Sequence, residues 1–420
     1  MVRQLGKILK NSWDQPRTSP IRHGGTVLAI VLSLASAASA QQAIELENDA
    51  PQPISGFAAT VEMDRLTSDQ AEQLVASAGS VSLQFVPNID SADRGRYFLK
   101  LAQPIAAGGK WTLKAPHNPE PQADVVTVEQ EEGALVVRVE GKELLRYHLN
   151  LLPSPDSEHP EYGRSGFMHP VRTPLGTVVT DDFPPDHMHQ HGVMFAWTDT
   201  NLAGRHVDFW NSFKKEGRVE HRRLLRTFSG SVVGGFDVQL AHVDLTSGQP
   251  IDALTETWSV RAYASADPFL LEIESAQQAA GAEPLVIRKY HYGGMAVRGS
   301  RSWYHADDAG FLTSEGKERI EGNHSRPRWV DVFGPAEKTK LAGITVLDSP
   351  DNFRFPQPVR LHPDKPYFSF SPQVEKAFEI GPESNYRSRY LLVPHDGAID
   401  LKQTEAIWNS FAHPLILKKS

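Results

Sequence analysis

The sequence predicts an all-β fold, a large β-sandwich with few short helices. Three observations lead there. Apolar and polar residues alternate in many short runs, the period of a half-buried strand. The chain's 31 glycines and 30 prolines punctuate those runs without any repeat, as turns between strands do. Helical periodicity is scarce, and no internal repeat, heptad pattern or low-complexity tract occurs.

Taken in order, residues 41–56 read as a short strand and a linker carrying Pro51, Pro53 and Gly56. Thr67-Ser68-Asp69-Gln70 resembles a capping box and predicts a short helix over 71–76. Residues 81–86, 125–128 and 134–139 alternate as strands, the last two joined by a hairpin turn around Glu131-Glu132-Gly133. Residues 254–263 form the longest alternating run. Residues 269–273, 285–287, 341–347 and 390–393 complete the strand pattern, and only 403–411 reads as a later helix. Leu152-Pro153-Ser154-Pro155-Asp156 marks a boundary. It separates an N-terminal β-rich region, 41–150, from a main sandwich, 151–415; the two can equally share one core.

The N-terminus reads as an export signal. Arg3, Lys7, Lys10, Arg17 and Arg22 precede an apolar stretch over 26–37, and Ala38-Ser39-Ala40 is a small-residue cleavage site. A leader over 1–40 places the mature protein, starting at Gln41, in the periplasm or outside the cell. No Arg-Arg pair stands in the basic stretch, which favours the general export route. The absence of cysteine excludes disulfides, thiolate chemistry and a lipoprotein anchor. No stretch after the leader is apolar enough to span a bilayer. Removing five cations and one anion with the leader leaves 38 basic and 50 acidic side chains, a net charge of −12. That balance disfavours nucleic acid and anionic membranes as partners.

Sixteen histidines remain after the leader, and seven cluster between His159 and His221: these two with His169, His187, His189, His191 and His206. His187, His189 and His191 stand at i, i+2 and i+4. In an extended segment that spacing puts three imidazoles on one face. Such a set suits a divalent transition metal. It equally suits acid/base work, because imidazole titrates near neutral pH. Asp186 is placed to orient one ring.

The flanks suit a sugar, which presents hydroxyls to planar polar groups and C–H faces to aromatic rings. His169 precedes the segment, and Asp208, Trp210 and Asn211 follow it; Trp197, inside an apolar strand, reads as core. Arg288 and Tyr290 lie just before Gly293-Gly294, a pair that permits close approach of a ligand. Glu256 shares a strand face with Leu254, Trp258 and Val260 and so points inward, as a catalytic carboxylate or as half of a structural ion pair. Arg326, Arg328, Trp329 and Asp331 form a further polar-aromatic cluster. No nucleophile elbow, phosphate-binding loop or dinucleotide fingerprint is present.

The run Asp182-Phe183-Pro184-Pro185-Asp186-His187-Met188-His189-Gln190-His191-Gly192, with Phe195-Ala196-Trp197 and Val207-Asp208-Phe209-Trp210, resembles the DUF6807 family, often labelled methane oxygenase PmoA. Gly293-Gly294-Met295-Ala296-Val297-Arg298 is similar to its Glu-Gly-Met-x-x-Arg element, with Gly293 in place of the acid. Residues 328–334, Asp348-Ser349-Pro350-Asp351-Asn352, Tyr390 and His395-Asp396-Gly397 resemble its later landmarks, with Asp348 in place of a histidine. No role is carried over to Gly293 or Asp348. The methane oxygenase label names a membrane enzyme and is not carried over as an activity.

The resemblance covers about residues 150–400. It implies a β-sandwich of the galactose-mutarotase supersandwich kind, which acts on sugars with a histidine pair and a carboxylate on one concave face. The expected function is acid/base chemistry on a sugar or oligosaccharide, as a lyase, epimerase or hydrolase. His189 and His191 would be acid and base, with Asp186 and Glu256 or Asp208 in support. His169, Asp208, Trp210, Arg288, Tyr290 and Arg328 would bind substrate. Two alternatives stand beside it: a transition-metal protein using His187, His189 and His191, and a non-catalytic sugar-binding envelope protein.

Overall fold

The computed structural model describes residues 44–66, 73–76, 79–114 and 122–419. The leader over 1–40 and the capping box at 67–70 lie outside them. The fold is the expected all-β sandwich, built from antiparallel sheets. An eight-stranded sheet runs, edge to edge, through Gly217–Phe228, Val233–Asp244, Ile251–Tyr263, Leu271–Ala279, Tyr386–Asp396, Leu341–Asp348, Trp329–Pro335 and Gly310–Thr313. The strong alternation of 254–263 has its cause here. Leu254, Trp258 and Val260 fill the main core, while Val233, Tyr263, Leu347 and Leu391 pack on the opposite side.

A second eight-stranded sheet covers the first across the main core. It runs Val359–Leu361, Tyr367–Phe370, Gly294–Arg298, Val193–Ala196, Met168–Val171, Lys142–His148, Ala134–Val139 and Val126–Glu131. The hairpin expected near Glu131 pairs Glu131 with Ala134. Tyr147 meets Phe236 and Trp258 across the layers, and Trp197 meets Tyr386. Trp197 is fully buried, as expected, and its indole donates to Gln277 Oε1 at 2.7 Å. A four-stranded sheet, Arg205–Val207, Thr200–Leu202, Leu285–Ile287 and Phe378–Ile380, closes one side.

The N-terminal strands form a third eight-stranded sheet. It includes Gln73–Ala76, paired with Gly79–Asn88. The helix expected over 71–76 is therefore strand in its described part. Six residues are too few for a helix to hold against a ladder of interstrand hydrogen bonds. The end of the chain completes this sheet. Ile416–Lys419 pairs with Ile44–Glu47, and Leu415 exchanges hydrogen bonds with Ala59 O and Val61 N at 2.8 and 3.0 Å. The sheet thus closes around its own core of Ile44, Leu46, Leu83, Tyr97, Leu99 and Leu417.

The helix expected over 403–411 spans Leu401–Ala412. Asp400 caps it, accepting from the N–H groups of Lys402 and Gln403 at 2.9 and 3.1 Å. Among the described residues no helix is long and apolar enough to cross a membrane.

Pleating decides what the second sheet offers on its outer side. Val359, Leu361, Phe368, Phe370, Met295 and Val297 face the core and are almost completely buried. Arg360, Tyr367 and Arg298 alternate with them and project to the other face, with Arg298 opposite Tyr367 and Arg360 opposite Ser369.

Closure of the third sheet predicts a stability effect far from that face. Deleting residues 415–420 removes the buried Leu415 and Leu417. At about 1.5–3 kcal/mol per buried leucine, unfolding free energy should fall by at least about 3 kcal/mol in urea titrations. An unchanged midpoint would show that the closing strand contributes nothing.

Candidate active site on the outer face of the second sheet

The histidine segment is not extended. Pro184 and Pro185 cannot supply ladder N–H groups, and the chain folds into successive turns. His187 N donates to Pro184 O at 2.9 Å, and Gln190 N to His187 O at 2.8 Å. An antiparallel bridge between Asp182 and His191 draws the loop's ends together. Gly192 follows with φ +37°, and a Cβ there would lie 2.1 Å from Met168 O, so only glycine fits.

The turns separate the three imidazoles. His187 and His189 face a cleft of about 510 Å³, with ring centroids 5.6 Å apart. His191 turns inward between Phe167 and Phe183, its Nδ1 2.6 Å from Asp182 Oδ1. Burial favours the uncharged form of both partners: His191 is held well below the usual imidazole range and Asp182 is pushed up to about 6. The triple therefore does not converge. Among the described residues no group of three His, Asp or Glu side chains is arranged to hold a metal ion.

The cleft is built from several elements. The loop gives Asp186, His187, His189 and Gln190; the segment after Val207 gives Trp210, Asn211 and Phe213; the run before the Gly pair gives His291 and Tyr292. The outer face of the sheet gives Arg360, His362 and Tyr367. Trp210 meets Tyr292 and Tyr367 at 5.5 and 5.7 Å, making an aromatic wall. Asn211 Nδ2 donates to the Tyr292 hydroxyl at 2.9 Å. The buried Tyr367 hydroxyl has no partner among the described residues.

Electrostatics distinguish the imidazoles. His187 Nδ1 donates to Asp186 Oδ2 at 2.9 Å, which leaves Nε2 as a free acceptor toward the cleft. Asp186 is bound in turn by Arg298, at 3.0 Å from Nη2 to Oδ1 and 3.3 Å from Nη1 to Oδ2. Burial would raise its carboxyl, but the hydrogen bonds from His187 and Arg298 hold it below the usual range. Burial, reinforced by His187 and His191, depresses His189 to about 3, so it is neutral near pH 7. Neither of its ring nitrogens has a partner among the described residues. Burial also depresses His362, to about 4; its ring lies 5.6 Å from that of His187.

Other expected site residues lie elsewhere. Glu256 is enclosed in the main core, accepting from His242 Nε2 at 2.8 Å, Trp258 Nε1 at 2.7 Å, Ser275 Oγ at 2.5 Å and Gln277 Nε2 at 3.0 Å. It lines no part of the cleft, and the ring it pairs with in the core is that of His242. His169 bonds Thr180 Oγ1 at 3.0 Å outside the cleft, and burial lowers it to about 4. Asp208 shapes the cleft from beneath. It is fully buried and accepts from Trp210 N, Asn211 N, Asn211 Nδ2 and Lys214 Nζ at 2.7–2.9 Å. Arg288 is exposed and outside the cleft lining, as is the half-buried Tyr290, which touches Tyr292. Arg328 pairs with Glu405 on the C-terminal helix at 2.8 Å and stacks on Trp408.

The departures from the family pattern have structural correlates. Gly293 has φ +134°, a backbone conformation that strains any residue with a side chain. Burial pushes Asp348 up to about 7; it holds a turn by accepting from Asn352 Nδ2 and Gln357 N, both at 2.7 Å.

Two predictions follow from these placements. Glu256→Ala leaves buried donors unpaired and should cost about 3–5 kcal/mol of stability by denaturant titration; a loss under about 1 kcal/mol would contradict the assignment. The second concerns pH. His189 titrates near 3 folded and about 6.5 unfolded. As pH falls below 6.5 the unfolded chain takes up a proton the folded chain refuses, so stability drops. Asp182, raised to about 6, opposes this, because its folded carboxyl holds a proton the unfolded one has lost. In His189→Asn the fall in Tm between pH 7 and pH 5 should be smaller than in the wild type; an equal fall would show that His189 does not titrate this way.

Comparison with known proteins places the chain. No curated protein matches it. Among solved structures it is similar to an alpha-mannosidase from Enterococcus faecalis V583, with 10% identity, a TM-score of 0.37, and coverage of 90% of this chain and 46% of that one. It is also similar to the heparan sulfate lyase HepC from Pedobacter heparinus, with 9% identity, a TM-score of 0.31, and coverage of 69% and 38%. A third is the GH36 alpha-galactosidase AgaB from Geobacillus stearothermophilus, with 13% identity, a TM-score of 0.31, and coverage of 66% and 39%. The chain spans less than half the length of each. Likeness this distant assigns no activity, and the fold stands on the chain's own strands. Residues 134–409, which include the whole histidine loop and the cleft, match the profile of a family of unknown function, and the chain belongs to that family, DUF6807.

Proposed function

We propose that this protein is an exported carbohydrate-active enzyme that moves protons at a sugar bound in the cleft, as a lyase or epimerase. One observation carries the reading: His187 and His189 present ring nitrogens without protein partners beside an aromatic and amide wall. Tyr292, backed by the buried Trp210, suits the C–H face of a sugar ring, and Asn211 and Gln190 suit its hydroxyls. His187, oriented by Asp186, is the proton acceptor. His189, neutral over the physiological range, hydrogen-bonds the substrate as donor or acceptor.

The acid and base pair expected at His189 and His191 is revised, because His191 is committed to Asp182. The same geometry narrows the reaction. Glycoside hydrolysis of the usual kind needs two carboxylates flanking the bond. Among the described residues two carboxylates line the cleft, Asp156 and Asp186, and the second is bound by Arg298. Export rests on the basic, apolar and Ala38-Ser39-Ala40 pattern of residues 1–40. A periplasmic fraction whose protein begins at Gln41 would support it.

Turnover is measured on a panel of oligosaccharides, by product release and by exchange of sugar C–H for deuterium in heavy water. His187→Ala should lower kcat/KM roughly 10²–10⁴-fold, the usual contribution of a positioned acid or base, with little change in Tm. Turnover that survives in both His187→Ala and His189→Ala, or no turnover of any sugar by the wild type, would sink the proposal.

A further inference from the structure

The cleft holds a positive charge that proton transfer does not use. Arg360 stands on Val359–Leu361, and its neighbours Val359 and Leu361 fill the core, so the pleat sends Arg360 outward beside His362. Both line the cleft. A guanidinium has five N–H donors in a planar fork. Arg360 has one side-chain hydrogen bond, from Nη1 to Asn323 Oδ1 at 3.3 Å. Among the described residues it has no carboxylate partner.

The neighbouring cations differ in this respect. Arg298 is bound by Asp186, and Lys365 lies 2.9 Å from Asp364. Each has its counter-charge within the protein. Arg360 alone of these three turns an uncompensated fork toward the space where a ligand would sit. The aromatic wall of Trp210, Tyr292 and Tyr367 lines the same space. A planar fork matches a carboxylate or a sulfate by two parallel hydrogen bonds.

We propose that the cleft takes an acidic sugar, whose ring lies on the aromatic wall and whose carboxylate or sulfate docks on Arg360. The inference rests on the reading that the cleft binds sugars, and it names the substrate class.

The test is binding by ligand-observed NMR and calorimetry at low and moderate salt. The probes are glucuronate, galacturonate, mannuronate, glucose 6-sulfate, the methyl ester of glucuronate, and the neutral sugars glucose, galactose and mannose. The expected result is that at least one acidic sugar binds about tenfold or more tightly than its neutral counterpart, with an advantage that shrinks as salt rises. Arg360→Gln should remove that advantage and leave neutral-sugar binding unchanged, which also checks that the variant is folded. If a carboxylate is the recognised group, the methyl ester binds like a neutral sugar and glucuronate outperforms glucose 6-sulfate. The reverse order assigns a sulfate. Equal binding of acidic and neutral sugars, or an acidic advantage that survives Arg360→Gln, overturns this inference and leaves the sugar reading standing. Failure of every probe to bind overturns both.

Discussion

The contact between Arg298 and Asp186 holds the candidate site together. Arg298 is only 2% exposed, and a guanidinium buried to that degree requires a counter-charge and hydrogen-bond acceptors. It finds them in Asp186 and in Gln190 Oε1, at 3.0 Å. Both belong to the loop that carries His187 and His189. The strand Gly294–Arg298 is a central element of the second sheet, so the pair ties a loop of successive turns to a rigid platform. Arg301 adds a second clamp, donating to Asp182 O at 2.9 Å and Phe183 O at 3.2 Å. Without these cations the loop would have only its few backbone hydrogen bonds and the Asp182–His191 bridge.

The same pair sets the chemistry. Asp186 is fixed by Arg298 and in turn fixes His187 through Nδ1. A carboxylate anchored on one side and bonded to imidazole on the other selects one tautomer and frees the far nitrogen. His189 lacks such support. Its environment is apolar and cationic, so its neutral form dominates. Two histidines that are neighbours in sequence therefore have different properties, and the difference comes from their surroundings.

Polar groups buried away from the cleft show why a candidate carboxylate needs its three-dimensional partners before it is given a role. Glu256 was placed correctly on the inward face by its alternation with Leu254, Trp258 and Val260. The same alternation could not reveal that His242, Ser275, Trp258 and Gln277 converge on it from three adjacent strands. Asp208 is a related case. Its spacing from Trp210 and Asn211 suggested ligand binding, but its oxygens are used to hold those two residues in place. It acts on the cleft by shaping it.

The sequence by itself determined the class of fold, most of the strands, the C-terminal helix and the family. These depend on periodicity and on local motifs, which are written along the chain. It also located the loop that contributes His187 and His189. Only the tertiary structure decided which imidazoles face the cleft, because consecutive prolines replaced the expected period of two with turns. It alone brought Arg298, Arg360, His362 and Tyr367 to the loop from strands more than 100 residues away. Their alternation with core residues was legible, but which strands neighbour one another is a property of sheet order, and that is settled by packing between layers and not by any local pattern.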